Sequence, residues 1–454
     1  MTTTALTYQY AKLPANGRAP VQLESTYTHE KKGKYSFLGM DPYGEIIGKN
    51  DETLVIDFES GKTETKQMNA LVYLKNHLPI METHLPVPFF GGAVGYVGYD
   101  AIRDFVEIGH PLEDDLQLPA IHFMLFKDII VFDHMDDSIY LIAVNPDGQK
   151  TGLEERIRRL EKVLNMQQSN PQQIHQDVVF RPQQSKESFI EKVKEAKTYI
   201  ERGEVSQVVL SQRMLAEIPD PDTFACSFYI KLREKNPSPY MFYIDFSDHI
   251  LLGASPESLL QVIGKEVITN PIAGTRPRGK TTAEDETLEA ELLADDKELA
   301  EHRMLVELSK ADLATVCSVE TIHTSVDMEI EKYEHVMHIV SEVVGTLKEG
   351  YTSIDALIHC LPAGTVSGTP KKRAMQIINQ LEMKMRGPYG GGVGYINFNR
   401  DLNIALTIRS LIIKDRIASL QAGAGIVIDS NPVKEYEETL HKARTMLETA
   451  EVFK

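Results

Sequence analysis

Two glutamate pairs have the spacing of a metal site: Glu298-x-x-Glu301 and Glu435-x-x-Glu438. A spacing of three puts both members on one face of a helix. Two such faces turned toward each other make a hard oxygen site. It suits Mg2+, which takes a few carboxylates, several waters and a substrate oxygen. Each pair alone is equally at home on a solvated helix, and Glu435 and Glu438 also complement a helix N-terminus by charge. A second constellation runs from Leu361 to Tyr395. Gly364, Thr365, Ser367, Gly368 and Thr369 have small or absent side chains, so backbone N–H groups can approach a ligand. The loop feeds a helix predicted over Lys371–Leu381, whose N-terminus favours an anion, and Lys371, Lys372 and Arg373 add positive charge there. The glycine run Gly390 to Gly394 marks a close approach of ligand or backbone. Together the two ends favour a small anionic ligand; two ordinary loops around a surface helix is the other reading. Arg409 lies on a strand predicted over Leu402–Ile412, among Asn403, Ala405 and Thr407, with Leu402, Ile404, Leu406 and Ile408 on the opposite face. An arginine so placed holds a carboxylate or belongs to an exposed strand face.

These residues need a scaffold. A polar loop is expected at Thr28–Gly33, then short strands at Tyr35–Gly39 and Leu54–Phe58. A helix over Gln67–His77, strands near Ile121–Phe132 and Ile139–Val144, and a charged helix over Gly152–Leu164 follow. GGAVGY at Gly91–Tyr96 matches GGGVGY at Gly390–Tyr395. Equivalent strands in two lobes would give such an internal repeat. Gln167–Gln173 (QQSNPQQ) reads as a linker, dividing an N-terminal region, 1–175, from a C-terminal core, 176–454. The core opens with a helix: Ser188-x-x-Glu191 as capping box, Phe189, Val193, Ala196 and Ile200 as stripe, and Gly203 as stop. A strand over Val205–Leu210 comes next, then long helical sequence over Leu288–Val316. A Gly-rich strand begins at Gln421–Gly425, and a last helix is capped by Asn431 with Pro432 at its first position.

The chain has 454 residues, 42% hydrophobic and 25% charged, which is ordinary for a soluble globular protein of two domains or one large two-lobed one. A net charge of −18 disfavours a nucleic-acid partner, whereas a small anion remains open where cations or a metal neutralise it. Cys226, Cys317 and Cys360 are dispersed, odd in number and free of CxxC spacing, which points to a reducing compartment without a disulfide framework. The first residues lack a basic segment followed by an apolar one, and Ile121–Phe132 is interrupted by Lys127 and Asp128. A cytoplasmic protein without membrane contact is expected. Tryptophan is absent from the sequence.

Many further motifs occur in one order. They are Leu23-Glu24-Ser25, Ser206–Ser211 (SQVVLS), Asn236–Met241 (NPSPYM), Ser255-Pro256-Glu257 and Pro271–Arg276 (PIAGTR). Lys297–His302 (KELAEH), His335–His338 (HVMH), Pro362–Pro370 (PAGTVSGTP), Gly387–Gly391 (GPYGG) and Gln421–Gly425 (QAGAG) follow. This series resembles the chorismate-utilising enzymes, and among them the large subunits, component I, of anthranilate synthase. The resemblance runs from about Val21 to the C-terminus and is densest from Lys186 onward. It implies a large α/β sandwich of two intertwined lobes, with sheets flanked by helices and chorismate and Mg2+ between them.

By that resemblance Glu301 and Glu438 hold Mg2+ directly, with Glu298 and Glu435 supporting it. Clustered carboxylates in a cleft are costly without a cation, by several kcal/mol per ion. Gly274, Thr275, Tyr389, Arg409 and the amides of Gly423, Ala424 and Gly425 match positions that grip chorismate. His338 and Thr365 match residues near the ring and its enolpyruvyl group. The implied reaction adds ammonia at ring C2 as the C4 hydroxyl leaves, then eliminates the enolpyruvyl group as pyruvate. Glu257 is the candidate general acid, and its environment should raise its pKa. His338 is a candidate for proton handling or charge stabilisation; a structural histidine in a helix is the alternative.

Gln207 stands where water-adding relatives carry a lysine base, which favours ammonia. Ala273 stands where many aminodeoxychorismate synthases carry a nucleophilic lysine, although some of those have alanine too. PAGT at Pro362–Thr365 also favours anthranilate synthase over aminodeoxychorismate synthase component I, the alternative enzyme. One departure is Lys310–Thr315 (KADLAT), where the family usually has Arg-Asn-Asp-Leu-Gly-Arg. No cysteine nucleophile with glutaminase spacing is visible, so a separate glutamine amidotransferase subunit should supply ammonia within a hetero-oligomer. Leu23–Ser25 and Pro239–Met241 resemble the segments that bind tryptophan as feedback inhibitor, with Ser25, Pro239, Tyr240 and Met241 as contacts. A lobe-bridging effector would follow, and the lack of tryptophan suits an enzyme made when tryptophan is scarce. A catalytically dead ligand sensor is the reading from another class; the intact Glu pairs, Glu257 and His338 argue against it.

Overall fold

The computed structural model describes residues 21–25, 34–165, 178–333 and 336–451. The loop expected at Thr28–Gly33, the linker at Gln167–Gln173 and His335 lie outside them. Two large antiparallel sheets stack, with helices packed on them. Sheet I runs, in spatial order, Arg181–Pro182, Gln207–Glu217, Ile417–Ile426, Ser410–Lys414, His249–Ser255, Tyr240–Asp245, Val21–Glu24, Tyr35–Gly39, Asp128–Asp133 and Ser138–Ala143. Gly368–Thr369 adds to Gln207–Glu217 beside it. Sheet II runs Ile272–Pro277, Val336–Thr346, Glu266–Thr269, Ser258–Ile263, Leu402–Leu406, Gly392–Asn397, Gly92–Val97, Ile121–Phe126, Gly44–Lys49, Glu52–Asp57 and Lys62–Lys66. His323–Lys332 adds to Val336–Thr346. The fold is thus the expected sandwich of sheets flanked by helices.

The main core lies between the sheets, where Phe242 and Leu251 of sheet I meet Phe123, Leu260 and Ile404 of sheet II. Central strands are covered on both faces. All six residues of Gly92–Val97 are buried, which explains a run without polar alternation. A second core lies under the helices Pro221–Lys235 and Pro432–Glu451 on the outer side of sheet I.

Both stretches of the chain, before and after the undescribed 166–177, feed both sheets. Val21–Glu24 pairs with Tyr240–Asp245 in sheet I, and Gly92–Val97 with Gly392–Asn397 in sheet II. The last pair is the internal repeat. Its two copies are not counterparts in separate lobes but neighbours in one sheet, with Gly95 opposite Gly394. A Cβ on Gly95 would lie 1.9 Å from the His122 carbonyl oxygen, and one on Gly394 2.0 Å from that of Asn403. The shared glycines therefore answer a close approach of neighbouring backbones.

Several local expectations change. The stretch Leu402–Ile412 is not one strand: Leu402–Leu406 belongs to sheet II and Ser410–Lys414 to sheet I. Arg409 sits at the crossing with φ +48°, a conformation that breaks the alternation. The helix Lys186–Glu201 is capped by Ser185, whose hydroxyl accepts from Ser188 N, rather than by Ser188. Leu288–Val316 is two helices, Thr282–Leu293 and Asp296–Val316, because Asp295 caps the second. Asn69 likewise starts its helix at Ala70, after the expected Gln67. Lys371–Leu381 and the Asn431-capped final helix form as read. No helix of the described residues is long and apolar enough to cross a membrane.

Candidate functional site

Glu257 and Arg409 occupy two adjacent crossings between the sheets. The first crossing joins His249–Ser255 of sheet I to Ser258–Ile263 of sheet II. The second joins Leu402–Leu406 of sheet II to Ser410–Lys414 of sheet I. Ala254 N donates to Arg409 O at 3.1 Å, and Leu406 N donates to Glu257 O at 2.9 Å. Thr365, in the short 3-10 turn Gly364–Val366, donates its hydroxyl to Glu257 Oε1 at 2.8 Å. Burial pushes the Glu257 carboxyl up to about 7, against the opposing effects of the Thr365 bond, Lys442 and Arg409. Burial also lowers the Arg409 guanidinium, which Glu257 counters. A cleft opens beside Glu257 and Thr365, with Pro271, Leu305, Leu308 and Cys360 among its walls.

The strand Ile417–Ile426 packs against the Gly364–Val366 turn. Ser410–Lys414 pairs with it only as far as Leu420, so from Gln421 onward only Gln207–Glu217 lies beside it. Alternate amides of this stretch therefore point away from any strand partner. Gly423 and Gly425 leave room on one face: a Cβ there would lie 2.8 Å from the Tyr389 hydroxyl and 2.6 Å from Gln207 Nε2 respectively. Ala424 turns its methyl to the core formed with Phe189, Val193 and Ile377. Arg386, which the motif reading passed over, holds this corner. It is fully buried, bonds both Glu382 oxygens and the carbonyls of Val366 and Val209, and stacks over Tyr99 and Tyr389 at 4.5 and 5.7 Å. An arginine beside a Gly-Pro-Tyr-Gly run was its only signal.

A bulge between Ala273 and Thr275 holds Gly274 at φ +72°. His338 lies in the strand Val336–Thr346, not in a helix. Its Nδ1 is 3.0 Å from Gly274 O and 3.0 Å from Thr275 Oγ1. A carbonyl only accepts, so Nδ1 carries the proton and Nε2 offers a lone pair. Burial pushes the ring down to about 4, against the Gly274 bond and with help from Arg409. His338 is neutral at physiological pH, so its side chain can accept a proton or a hydrogen bond there but holds no positive charge.

The carboxylates come from the two predicted helices. A Cβ on Gly274 would lie 3.3 Å from Glu298 Oε2, so this helix lies against the bulge. Burial raises the Glu301 carboxyl, and Glu298 and Glu438 raise it further. Burial raises Glu435 too, with Glu438 adding and a Ser430 hydrogen bond opposing. The two pairs thus feel each other. Glu435 Oε2 is buried without a hydrogen-bond partner. Glu438 Oε1 meets Lys442 Nζ at 2.8 Å, and Glu298 Oε1 meets Arg276 Nη1 at 3.7 Å. Mutually repelling carboxylates with an unpartnered buried oxygen fit a hard dication.

The cations at the start of Lys371–Leu381 are differently employed. Lys371 pairs with Asp312 at 2.7 Å, and Arg373 pairs with Glu204. Asp312 belongs to the departing segment Lys310–Thr315, which is therefore tied to the Thr365 loop through Lys371. Ser25 and the segment Pro239–Met241 are neighbours: Glu24 faces Met241 across two paired strands of sheet I. Glu24 is buried and bonds Arg233 and Tyr229 at 2.8 Å each.

Residues 23–448 match the model of the chorismate binding enzyme family. The chain is 41% identical to anthranilate synthase component 1 of Acetivibrio thermocellus, over 94% of this chain and 89% of the relative. It is 39% identical to that of Thermus thermophilus, over 98% and 94%. The structure of anthranilate synthase component I from Streptococcus pneumoniae superposes with a TM-score of 0.83 at 36% identity, covering 96% of each chain. The menaquinone-specific isochorismate synthase MenF of Escherichia coli shares the fold, at 19% identity and a TM-score of 0.72. Matched over nearly its full length by the family model and by these relatives, the chain belongs to the chorismate binding enzymes, in the family of anthranilate synthase component 1.

Proposed function

We propose that the chain converts chorismate and ammonia to anthranilate and pyruvate in a Mg2+-dependent reaction, the first committed step toward tryptophan. The observation that carries this reading is the Glu257 carboxyl, pushed up to about 7 and held by Thr365 beside Arg409. A carboxyl with that pKa is half protonated near neutrality and can serve as a general acid. Glu257 protonates the departing C4 hydroxyl, which leaves as water while ammonia bonds to ring C2. Loss of the C2 hydrogen and of the enolpyruvyl group then gives the aromatic amine and pyruvate, and His338 Nε2 accepts a hydrogen bond or proton in this step. Arg409 and the unpaired amides of 421–426 orient the substrate carboxylates. Gln207, an amide over Gly425, cannot activate water as a base.

Glu301 and Glu438, supported by Glu298 and Glu435, would hold Mg2+. The bound ion would supply positive charge for the substrate's carboxylate oxygens. A separate glutamine amidotransferase subunit supplies ammonia, and tryptophan inhibits through Ser25, Pro239, Tyr240 and Met241, within a cytoplasmic hetero-oligomer.

The test is turnover of chorismate by the purified chain with Mg2+ and an ammonium salt. Anthranilate and pyruvate in equal amounts are expected. A para-amino diene product would assign aminodeoxychorismate synthase instead, and no turnover would favour a ligand sensor.

A further inference from the structure

A second cluster of ligand atoms lies at the far end of the strand His249–Ser255 from Glu257. The strand has seven residues, so about 20 Å separates its ends. His122, Asp248 and His249 each present a ligand atom there, all within 4.8 Å of one another. His122 comes from sheet II and His249 from sheet I. We propose that these three residues form a structural site for a divalent transition-metal ion of the Zn2+ class, which pins the two sheets together.

His122 supplies the strongest argument. It is 2% exposed, and neither ring nitrogen has a hydrogen-bond partner. The carboxylate of Glu45 stands 3.6 Å from its Nε2, beyond hydrogen-bond reach but close enough to complete a coordination shell. An imidazole buried in the core with no short hydrogen bond is costly unless something takes its lone pair. His249 is buried as well, with Nδ1 2.6 Å from Asp248 Oδ1 and Nε2 3.4 Å from the Tyr96 hydroxyl. Phe246 stacks on His249 with ring centroids 4.7 Å apart, lies tilted against His122 at 4.2 Å, and walls the cluster with apolar surface. Asp248 keeps 59% of its side chain exposed, on the turn shaped by Ser247 at φ +71°, and gives an ion a path from solvent. Two imidazoles with one or two carboxylates select Zn2+ or Co2+ over Mg2+, which prefers oxygen. The site is therefore distinct in chemistry from the four glutamates as well as in position.

The experiment uses the full chain, stripped with chelator and then kept in excess Mg2+ to occupy hard oxygen sites. Co2+ is titrated as the spectroscopic probe. One equivalent should bind with the visible absorption of a low-coordinate nitrogen-containing site. Zn2+ should displace it and raise the melting temperature. His122→Gln should abolish both effects. Asp248→Ala, at an exposed turn where folding is not at risk, should weaken Co2+ binding at least tenfold. No stoichiometric Co2+ binding by the wild type, or unchanged binding in Asp248→Ala together with a folded His122→Gln, would overturn the assignment.

Discussion

Arg409 and Glu257 are bound into one turn system: Arg409 O accepts from Ala254 and Glu257 O from Leu406, so each crossing is pinned to a strand flanking the other. The acid and the cation are therefore fixed by the same two backbones that connect the sheets. A shift in sheet packing moves both together, which keeps their relative placement rigid.

Replacing Glu257 by Gln should separate catalysis from stability. The amide keeps an acceptor for Thr365 but donates no proton, so kcat should fall roughly 10²–10⁴-fold. The folded carboxyl titrates near 7 and the unfolded one near 4.5. Between these values the folded chain binds a proton that the unfolded chain has released, so stability falls as pH rises through that window. At pH 8 the variant should thus be more stable than wild type, by about 3 kcal/mol at most for the shift from 4.5 to about 7. Denaturant melts at pH 5 and pH 8 test this: the gain should appear at pH 8 and shrink at pH 5. An equal difference at both values would rule out the burial argument.

Thr365→Val tests the acid from the other side. The Thr365 hydroxyl stabilises the ionised carboxylate and so holds the Glu257 pKa down. Without it the pKa rises, and the alkaline limb of the kcat/KM profile should move to higher pH. A loss of about tenfold in kcat/KM at neutrality is expected from the lost positioning bond. The profile is best read at fixed free ammonia concentration, because ammonium titrates in the same direction. A profile unchanged in shape would detach Thr365 from the acid.

Much of this site was legible because its chemistry is local in sequence. The glutamate pairs, the Thr365 loop and the glycine strand are each short motifs on one element. Long-range pairing was not legible. Nothing near Arg409 announced that its strand would break at φ +48° and cross between sheets, since alternation looked unbroken from Leu402 to Ile412. Likewise the Lys371–Asp312 and Arg373–Glu204 pairs join segments far apart in the chain, so three basic residues read as an anion site. One cap was placed at Ser188 although Ser185 competes nearby, and the cap at Asp295 was missed inside a stretch that read as continuous helix.

Arg409→Lys should raise KM for chorismate roughly 10–100-fold with a smaller change in kcat, because a point charge replaces a planar two-pronged donor. Steady-state kinetics with a melting curve as control decides it. An unchanged KM would remove Arg409 from the substrate's carboxylate.

The repeat glycines make a stability prediction. Gly95→Ala would place a Cβ 1.9 Å from the His122 carbonyl oxygen, so two central strands must separate. A loss of roughly 4 kcal/mol or more is expected, or failure to fold. Gly61, at a turn with φ +70° and nothing within 4 Å of its Cβ, is the comparison. Gly61→Ala should cost only about 1–2 kcal/mol, from backbone strain alone. Similar melting temperatures for the two variants would contradict the packing argument.

Inhibition by tryptophan gives the last prediction. The register sets Glu24 opposite Met241, and Ser25 follows at the end of the strand Val21–Glu24. An effector held by Ser25 and the Pro239–Met241 segment would therefore grip two adjacent strands, not two separate lobes. The Tyr240 hydroxyl faces Ser258 of sheet II, the residue that follows Glu257. A shift of Tyr240 on effector binding would thus be felt one residue from the acid. Inhibition requires tryptophan to prefer an arrangement that handles chorismate poorly, and a coupling of ~1–3 kcal/mol is typical. By reciprocity chorismate must weaken tryptophan binding by the same factor. Calorimetric titration of tryptophan into wild type and Ser25→Leu, each with and without chorismate, measures both quantities. Ser25→Leu should bind tryptophan at least tenfold more weakly while retaining turnover, and chorismate should weaken tryptophan binding to wild type. Equal tryptophan affinity in the two proteins would remove Ser25 from the site, and an affinity indifferent to saturating chorismate would rule out the coupling.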